Sequence, residues 1–312
     1  MRALVTGGAG FIGRWVVKEL IDSGCEVYIL DDLSNGSQEN IRKFEWKGLI
    51  EKFVMGDIKD AVLIGKLFEE RFDVCYHLAA SINVQDSIDN PINTFNNDVL
   101  GTFNILEACR KHGTKIVFMS TCMVYDKANS EKGIDETHPV KPASPYAGSK
   151  IAGENIALSY WYAYGLPVVV VRPFNTYGPY QKSSGEGGVV SIFIGRNLQS
   201  QELNIKGTGE QTRDLLYVED CARFVVEAGC SNKANGQIIN AGSGSDVSIN
   251  ELARIICKDE SRIKHIAHDH PQSEIMKLLC NYNKAKDVLG WEPRVDLEEG
   301  IKKTEAWLKG EI

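Results

Sequence analysis

The sequence predicts an α/β protein: a doubly wound parallel sheet with a smaller C-terminal lobe. Three observations predict it. A short apolar strand at the N-terminus runs straight into a glycine-rich turn and a helix. Short runs rich in Val and Ile then alternate with helical stretches as far as Asn240, the pattern of strands buried on both faces and joined by helical crossovers. From about Tyr177 the alternation loosens, which places a second lobe there.

The 312 residues exceed the usual size of one core, so one large domain with an appended lobe is expected. Hydrophobic content of 43% and charged content of 25% are ordinary for a globular protein. A net charge of -7 argues against a nucleic-acid or anionic-membrane partner, while leaving room for a small anionic ligand in a local basic pocket. Eight Cys, at 25, 75, 109, 122, 221, 230, 257 and 280, form no Cys-x-x-Cys pair and read as reduced core thiols. The aliphatic stretch Val168 to Val171 is far short of the ~18 residues of a membrane span. A strand begins almost at once, without room for a signal peptide, so the expectation is a cytoplasmic protein.

In chain order, Arg2 to Thr6 reads as the first strand, followed by Gly7-Gly-Ala-Gly10-Phe-Ile-Gly13 and a helix to about Asp22. A second strand, Glu26 to Leu30, ends at Asp31-Asp32. Strand, glycine turn, helix, strand and acid form a dinucleotide-binding pattern: the glycines let backbone approach a pyrophosphate, and the helix N-terminus stabilises its charge. Asp31 lies 18 residues past Gly13, close to the ~20 expected of the acid that holds an adenosine ribose. Further strands are expected at Lys52 to Met55, Asp73 to His77, Lys115 to Ser120, Pro167 to Arg172 and Gln237 to Asn240, with helices at about 59–70, 95–112, 145–163 and 219–229. Ligands of such sheets collect at the carboxyl ends of the strands. Gly8, Asp31, Asp57, Ala79-Ala80, Thr121 and Pro173 all fall there and are expected to share one crevice. Val189 to Leu198 reads as a helix outside the sheet, and Ser248 with Glu251 as a capping box opening a helix to about Lys258. The nucleotide domain is expected at 1–175 and 213–242, and the lobe at 176–212 and 243–312.

Tyr146 and Lys150 stand four residues apart in a helical segment, on one face and roughly 5–6 Å apart. A phenol ionises at ~10 when unperturbed, and a cation beside it favours the phenolate, so the pair is expected to accept a proton from an alcohol near neutral pH.

Gly7-x-x-Gly10-x-x-Gly13, Asp57-Ile58, His77-Leu-Ala-Ala80, Asn97 with Gly101-Thr, Thr121 with Val124-Tyr125, Tyr146-x-x-x-Lys150, Arg172-Pro-Phe-Asn175-x-Tyr-Gly-Pro179, Arg213-Asp214 and Leu289-Gly-Trp-Glu-Pro293 occur in that order. Together they resemble the extended short-chain dehydrogenase/reductases that act on nucleotide sugars, a group of epimerases, dehydratases and decarboxylases with tightly held NAD. The resemblance implies a Rossmann domain, a C-terminal substrate-binding lobe and a homodimer through the helices at 95–112 and 145–163. It implies that Gly7, Gly10, Phe11, Ile12 and Gly13 cradle the NAD pyrophosphate, Asp31 and Asp32 the adenosine ribose, and Asp57 and Ile58 the adenine. It brings Leu78, Ala79, Ala80, Lys150 and Pro173 to the cofactor, and Val84, Thr121, Met123, Asn175, Val189, Arg213 and Glu274 to a UDP-sugar substrate. Thr121 would hydrogen-bond the hydroxyl that is oxidised, and Tyr146 would take its proton.

Two departures from the family pattern stand out. Where its 4,6-dehydratases place Asp and Glu after the Thr, this chain has Cys122 and Met123. Met cannot move protons, whereas a thiol with a free pKa of ~8.5 can protonate a departing hydroxide. The Thr-Cys-Met arrangement resembles the UDP-N-acetylglucosamine 5,6-dehydratase type, with Cys122 as the acid. At Pro271-Gln-Ser-Glu274 the usual Arg is missing, leaving His265, His268, His270 or Lys277 to replace it. The spacing of the three His fits no single helix face, so no metal site is expected.

The leading expectation is therefore a redox-neutral dehydratase that oxidises C4, loses water across C5–C6 and returns hydride to C6 or C4. The C5 base is not named by the sequence, with Glu186 as a guess. The alternatives are a UDP-hexose 4-epimerase, with Cys122 and Met123 as mere pocket lining, and a silent NAD-binding sensor.

Overall fold

Along the first strand, β1 (Arg2–Thr6), Ala3 and Val5 enter one apolar cluster while Leu4 enters another, so the strand is covered on both faces as a parallel sheet requires. The computed structural model describes residues 1–128, 132–183, 188–268 and 275–311. From β1 the chain passes through α1 (Phe11–Asp22), β2 (Glu26–Asp31), α2 (Arg42–Trp46), β3 (Lys52–Met55), α3 (Ala61–Leu67) and β4 (Val74–His77). Two short helices follow, α4 (Val84–Asp89) and α5 (Pro91–Phe95), then a π-type turn (Asn96–Gly101) that runs into α6 (Thr102–His112). Next come β5 (Lys115–Met119), α7 (Pro145–Tyr164) and β6 (Val168–Pro173).

The parallel sheet has seven strands, completed by β10 (Gln237–Ala241) at its edge, in the order β10-β6-β5-β4-β1-β2-β3. The chain builds outward from β1 in both directions, which opens a crevice at the carboxyl ends of β1 and β4. On one face α1 and α9 (Val218–Cys230) bury Val16, Leu20, Phe224 and Val225. On the other, α3, α6 and α7 bury Leu67, Ile105, Leu106 and Ala157. α7 starts where the Ser144 hydroxyl accepts the Ala147 N–H with Pro145 at the first position, and it ends at Gly165, whose φ of 66° is left-handed.

The lobe is built from β7 (Asn175–Tyr177), α8 (Val189–Leu198), β8 (Leu203–Lys206), β9 (Thr212–Tyr217), β11 (Asp246–Ser248), α10 (Ile249–Ile256), β12 (Ile263–Ile266) and β13 (Lys277–Leu278). It is closed by α11 (Asn283–Leu289) and α12 (Leu297–Leu308). β9 pairs with β7, β11 and β13, and β8 pairs with β12. The stretch from Arg213 therefore forms a strand of the small sheet, and the chain rejoins the large one through α9 and β10 (Gln237–Ala241). The helix expected at 95–112 is broken into α5, the π-turn and α6, because the π-turn accommodates an extra residue. The capping box at Ser248 and Glu251 forms in both directions.

Candidate active site

The glycine turn leaves backbone where side chains would otherwise stand. Gly7 has φ 73°, and a Cβ on it would sit 2.7 Å from the Ala79 nitrogen; a Cβ on Gly13 would collide with the Gly7 carbonyl. α1 begins after Gly10 with no side-chain cap, so its first N–H groups are available to an anion. Asp31 accepts the Ala9 and Leu33 N–H groups, both at 2.9 Å. Burial raises its carboxyl and those two donors pull it back. Above the sheet lies a cavity of about 730 Å³, with Asp31 and Asp32 at one end and Thr121, Tyr146 and Arg213 at the other. A glycine floor, an uncapped helix start and an acid at the end of β2 fit a dinucleotide.

At the other end, Thr121 follows β5 and its hydroxyl accepts the Met123 N–H at 3.2 Å, opening a short turn over Cys122–Val124. This turn sets Cys122 and Met123 in the cavity wall. Tyr146 stands in the first turn of α7, its N–H bound to the Ser87 hydroxyl at 3.1 Å, and its phenol and Thr121 both line the cavity. Lys150, one turn on, donates to the Met119 carbonyl at 3.1 Å, its ammonium 5.9 Å from the Tyr146 ring centre.

The electrostatics correct one expectation. Burial raises the Tyr146 phenol, and Asp98 adds to that, against the hydrogen bond from Thr121. Lys150 is itself lowered by burial, so in the protein alone the lysine does not prime the phenol. The Cys122 thiol is pushed up to about 12, chiefly by burial, with Arg213 pulling it down and Asp214 pushing it up. It is therefore a proton donor, not a thiolate, across the neutral range.

Behind the site, Arg172 donates to both Glu154 oxygens, at 2.8 and 2.5 Å, and Ser120 also donates to Glu154. This ties α7 to β5 and β6. His77 is wholly enclosed. Thr102 donates its hydroxyl to the Asp98 carbonyl at 2.5 Å, so it accepts from His77 Nε2, 3.0 Å away. Nδ1 is then the acceptor for the Thr6 hydroxyl at 2.7 Å.

The cavity brings together all four residues expected to be catalytic and most of those expected to bind cofactor or substrate. Ile58, Leu78, Ala79, Ala80, Val84, Pro173 and Asn175 are in its wall. Asp57 is not, because its carboxylate pairs with Lys59 at 2.8 Å. Val189 is not either; it packs in the lobe's core at the start of α8. Glu186, His270, Pro271 and Glu274 lie outside the described residues. His265 bonds the Gly207 carbonyl at 3.0 Å and, like His268 and Lys277, is not in the wall. Among the described residues no group of three metal-ligating side chains occurs, and no helix is long and apolar enough to cross a membrane.

Sequence reasoning missed Asn35, Tyr180 and Lys182, which also line the cavity. Lys182 donates to Asn35 across its mouth at 2.6 Å, and Tyr180 is held between Arg14, 3.8 Å away, and Trp307. Their one signal is position: Tyr180 and Lys182 come just after the Tyr177-Gly-Pro179 segment, and Asn35 just after Asp31-Asp32.

Fold and site together define a Rossmann-like dinucleotide-binding protein with a Tyr–Lys pair in its cavity. The profile of the GDP-mannose 4,6 dehydratase family matches residues 4–304, and the chain belongs to that family. It is 41% identical to the putative UDP-glucose 4-epimerase of Methanocaldococcus jannaschii, over 98% of both chains. The X-ray structure of Pal from Bacillus thuringiensis superimposes with a TM-score of 0.98 at 63% identity over the whole of both chains. The dTDP-glucose 4,6-dehydratase DesIV of Streptomyces venezuelae, solved with NAD, gives 0.92 at 30% identity over 99% of this chain and 97% of its own.

Proposed function

We propose that this protein is an NAD-dependent nucleotide-sugar dehydratase acting on a UDP-hexose such as UDP-N-acetylglucosamine. The observation that carries the reading is Cys122: a fully protonated, buried thiol set beside Thr121 and Tyr146 in the wall of one cavity. Asn175 supports a polar ligand there, since its buried Oδ1 has no partner among the described residues.

NAD supplies the hydride acceptor and, when oxidised, a positive ring that favours the phenolate. Gly7, Gly10 and Gly13 hold its pyrophosphate and Asp31 its ribose. Thr121 orients the C4 hydroxyl and Tyr146 takes its proton. With C4 as a ketone, the acidified C5–H gives its proton to solvent as the C6–O bond breaks. Cys122 delivers a proton to the departing hydroxide, a transfer downhill from a thiol near 12. Solvent reprotonates the thiolate, and hydride returns to C6 or C4. Arg213 and Asn175 hold the nucleotide, and the lobe of residues 176–212 and 243–312 encloses it. The unit is a homodimer, through the exposed apolar side chains Ile92, Phe95, Phe103, Tyr162 and Tyr164 on α5, α6 and α7.

A second reading, the UDP-hexose 4-epimerase, is favoured by one observation. Among the described residues lining the sugar end, none is a carboxylate able to take the C5 proton. Incubation with UDP-N-acetylglucosamine in deuterated water separates the two. Loss of water, with deuterium at C5 or C6 in the mass and proton spectra, is the expected result. A product of unchanged mass, unlabelled and inverted at C4, would overturn the dehydratase in favour of the epimerase.

A further inference from the structure

The strongest unassigned group near the site is Asp98, 2% exposed and set in the π-turn between α5 and α6. Its Oδ1 accepts the Ser81 N–H at 2.6 Å and the Asn97 amide at 3.2 Å. Its Oδ2 accepts from the Ser149 hydroxyl at 3.1 Å. Ser149 stands on α7 between Tyr146 and Lys150, while Ser81 follows Ala79 and Ala80 in the cavity wall. The carbonyl of the same residue ends the Thr6–His77–Thr102 chain. No cation pairs directly with this carboxylate among the described residues; its partners are Ser81, Asn97 and Ser149. π-turns concentrate at functional sites, and here the turn aims one carboxylate at the helix that carries the Tyr–Lys pair.

We propose that Asp98 is a positioning residue for the reaction: through Ser81 and Ser149 it fixes the loop after β4 and α7 in register, and it sets a buried negative charge against the turn of α7 that carries Tyr146 and Lys150. The inference rests on the reading of Tyr146 as the base. Other groups act on the pair as well. Tyr146 is faced by Thr121 and Cys122 from the end of β5; Lys150 is faced by Glu154 from its own helix and lies near His77 at the end of β4. Asp98 alone acts on both members, holding the proton on each. A purely structural Asp98 would be replaced by Asn with little consequence, because the amide oxygen still accepts from Ser81.

The test is the tyrosinate absorbance of the NAD-loaded protein as a function of pH, in the parent and in Asp98→Asn, each corrected by the same protein carrying Tyr146→Phe. Removing the negative charge favours the phenolate, so the Tyr146 midpoint is expected to fall by about one pH unit. The rising limb of kcat against pH moves to acid with it. An unmoved midpoint overturns the proposal. Because the titration needs no sugar substrate, failure of the nucleotide-sugar reading shows separately, as a moved midpoint in a protein that turns nothing over. Should Asp98→Asn not fold, Ser149→Ala serves: it removes a donor from the carboxylate, leaves more negative potential at the phenol and raises the midpoint. A midpoint that stays or falls in that variant overturns the proposal.

Discussion

Lys150 passes its ammonium 5.9 Å from the centre of the Tyr146 ring and donates to the Met119 carbonyl, not to the phenol oxygen. The two residues share a helix face, as their spacing demands, but the group that eases ionisation of the phenol, against burial, is Thr121. Proton transfer thus depends on the phenol itself. Tyr146→Phe is expected to lower kcat by about 10³-fold while NAD stays bound, checked by turnover and by the cofactor content of the purified variant.

Cys122→Ala is expected to slow water loss by about 10²-fold or more, yet to leave slow reduction of bound NAD by the sugar. An undiminished dehydration rate in that variant would reject the thiol as acid. With the thiol near 12, alkylation at pH 8 is expected to label the exposed Cys230 and leave Cys122 untouched, which peptide mass mapping reads directly.

His77 links site and stability. Burial, helped by Lys150, pushes its imidazole down to about 3, while in the unfolded chain it returns to ~6.5. The unfolded state therefore binds more protons between those values. The resulting stability is full above pH 6.5 and is lost as pH falls towards 3, by roughly 5 kcal/mol over the whole window. Urea unfolding at pH 7 and pH 4.5 is expected to show a smaller drop for His77→Gln than for the parent.

The Glu154–Arg172 pair is enclosed, its side chains 3% and 4% exposed. Glu154→Gln leaves the guanidinium without its counter-charge, and unfolding stability is expected to fall by about 3 kcal/mol. Pairing it with Arg172→Met is expected to recover part of that loss. A double variant weaker than the single one in urea would show that the ion pair is not what holds α7 to β6.

How much was legible follows from which forces are local. The seven strands of the large sheet were readable because each is a short apolar run between glycines, acids or helix starts, and all but the edge strand β3 are largely buried. The glycine turn and Asp31 were readable because backbone approach to a phosphate requires absent side chains at a fixed spacing. In the lobe the helix at Val189–Leu198 and the capping box at Ser248 were readable, but its sheets were not: β8 and β12 are four residues each, pair across a long stretch of chain, and carry no period of their own. Lys182 and Asn35 meet across the cavity from positions 147 residues apart.

The sequence by itself determined the sheet, the phosphate cradle and the spacing of Tyr146 and Lys150, since these depend on residue type and local geometry. Only the tertiary structure decided which way burial pushes each member of that pair and tied Asp98 to Ser149 between them. Desolvation belongs to the whole packed environment, and it outweighed the single cation that the spacing placed nearby.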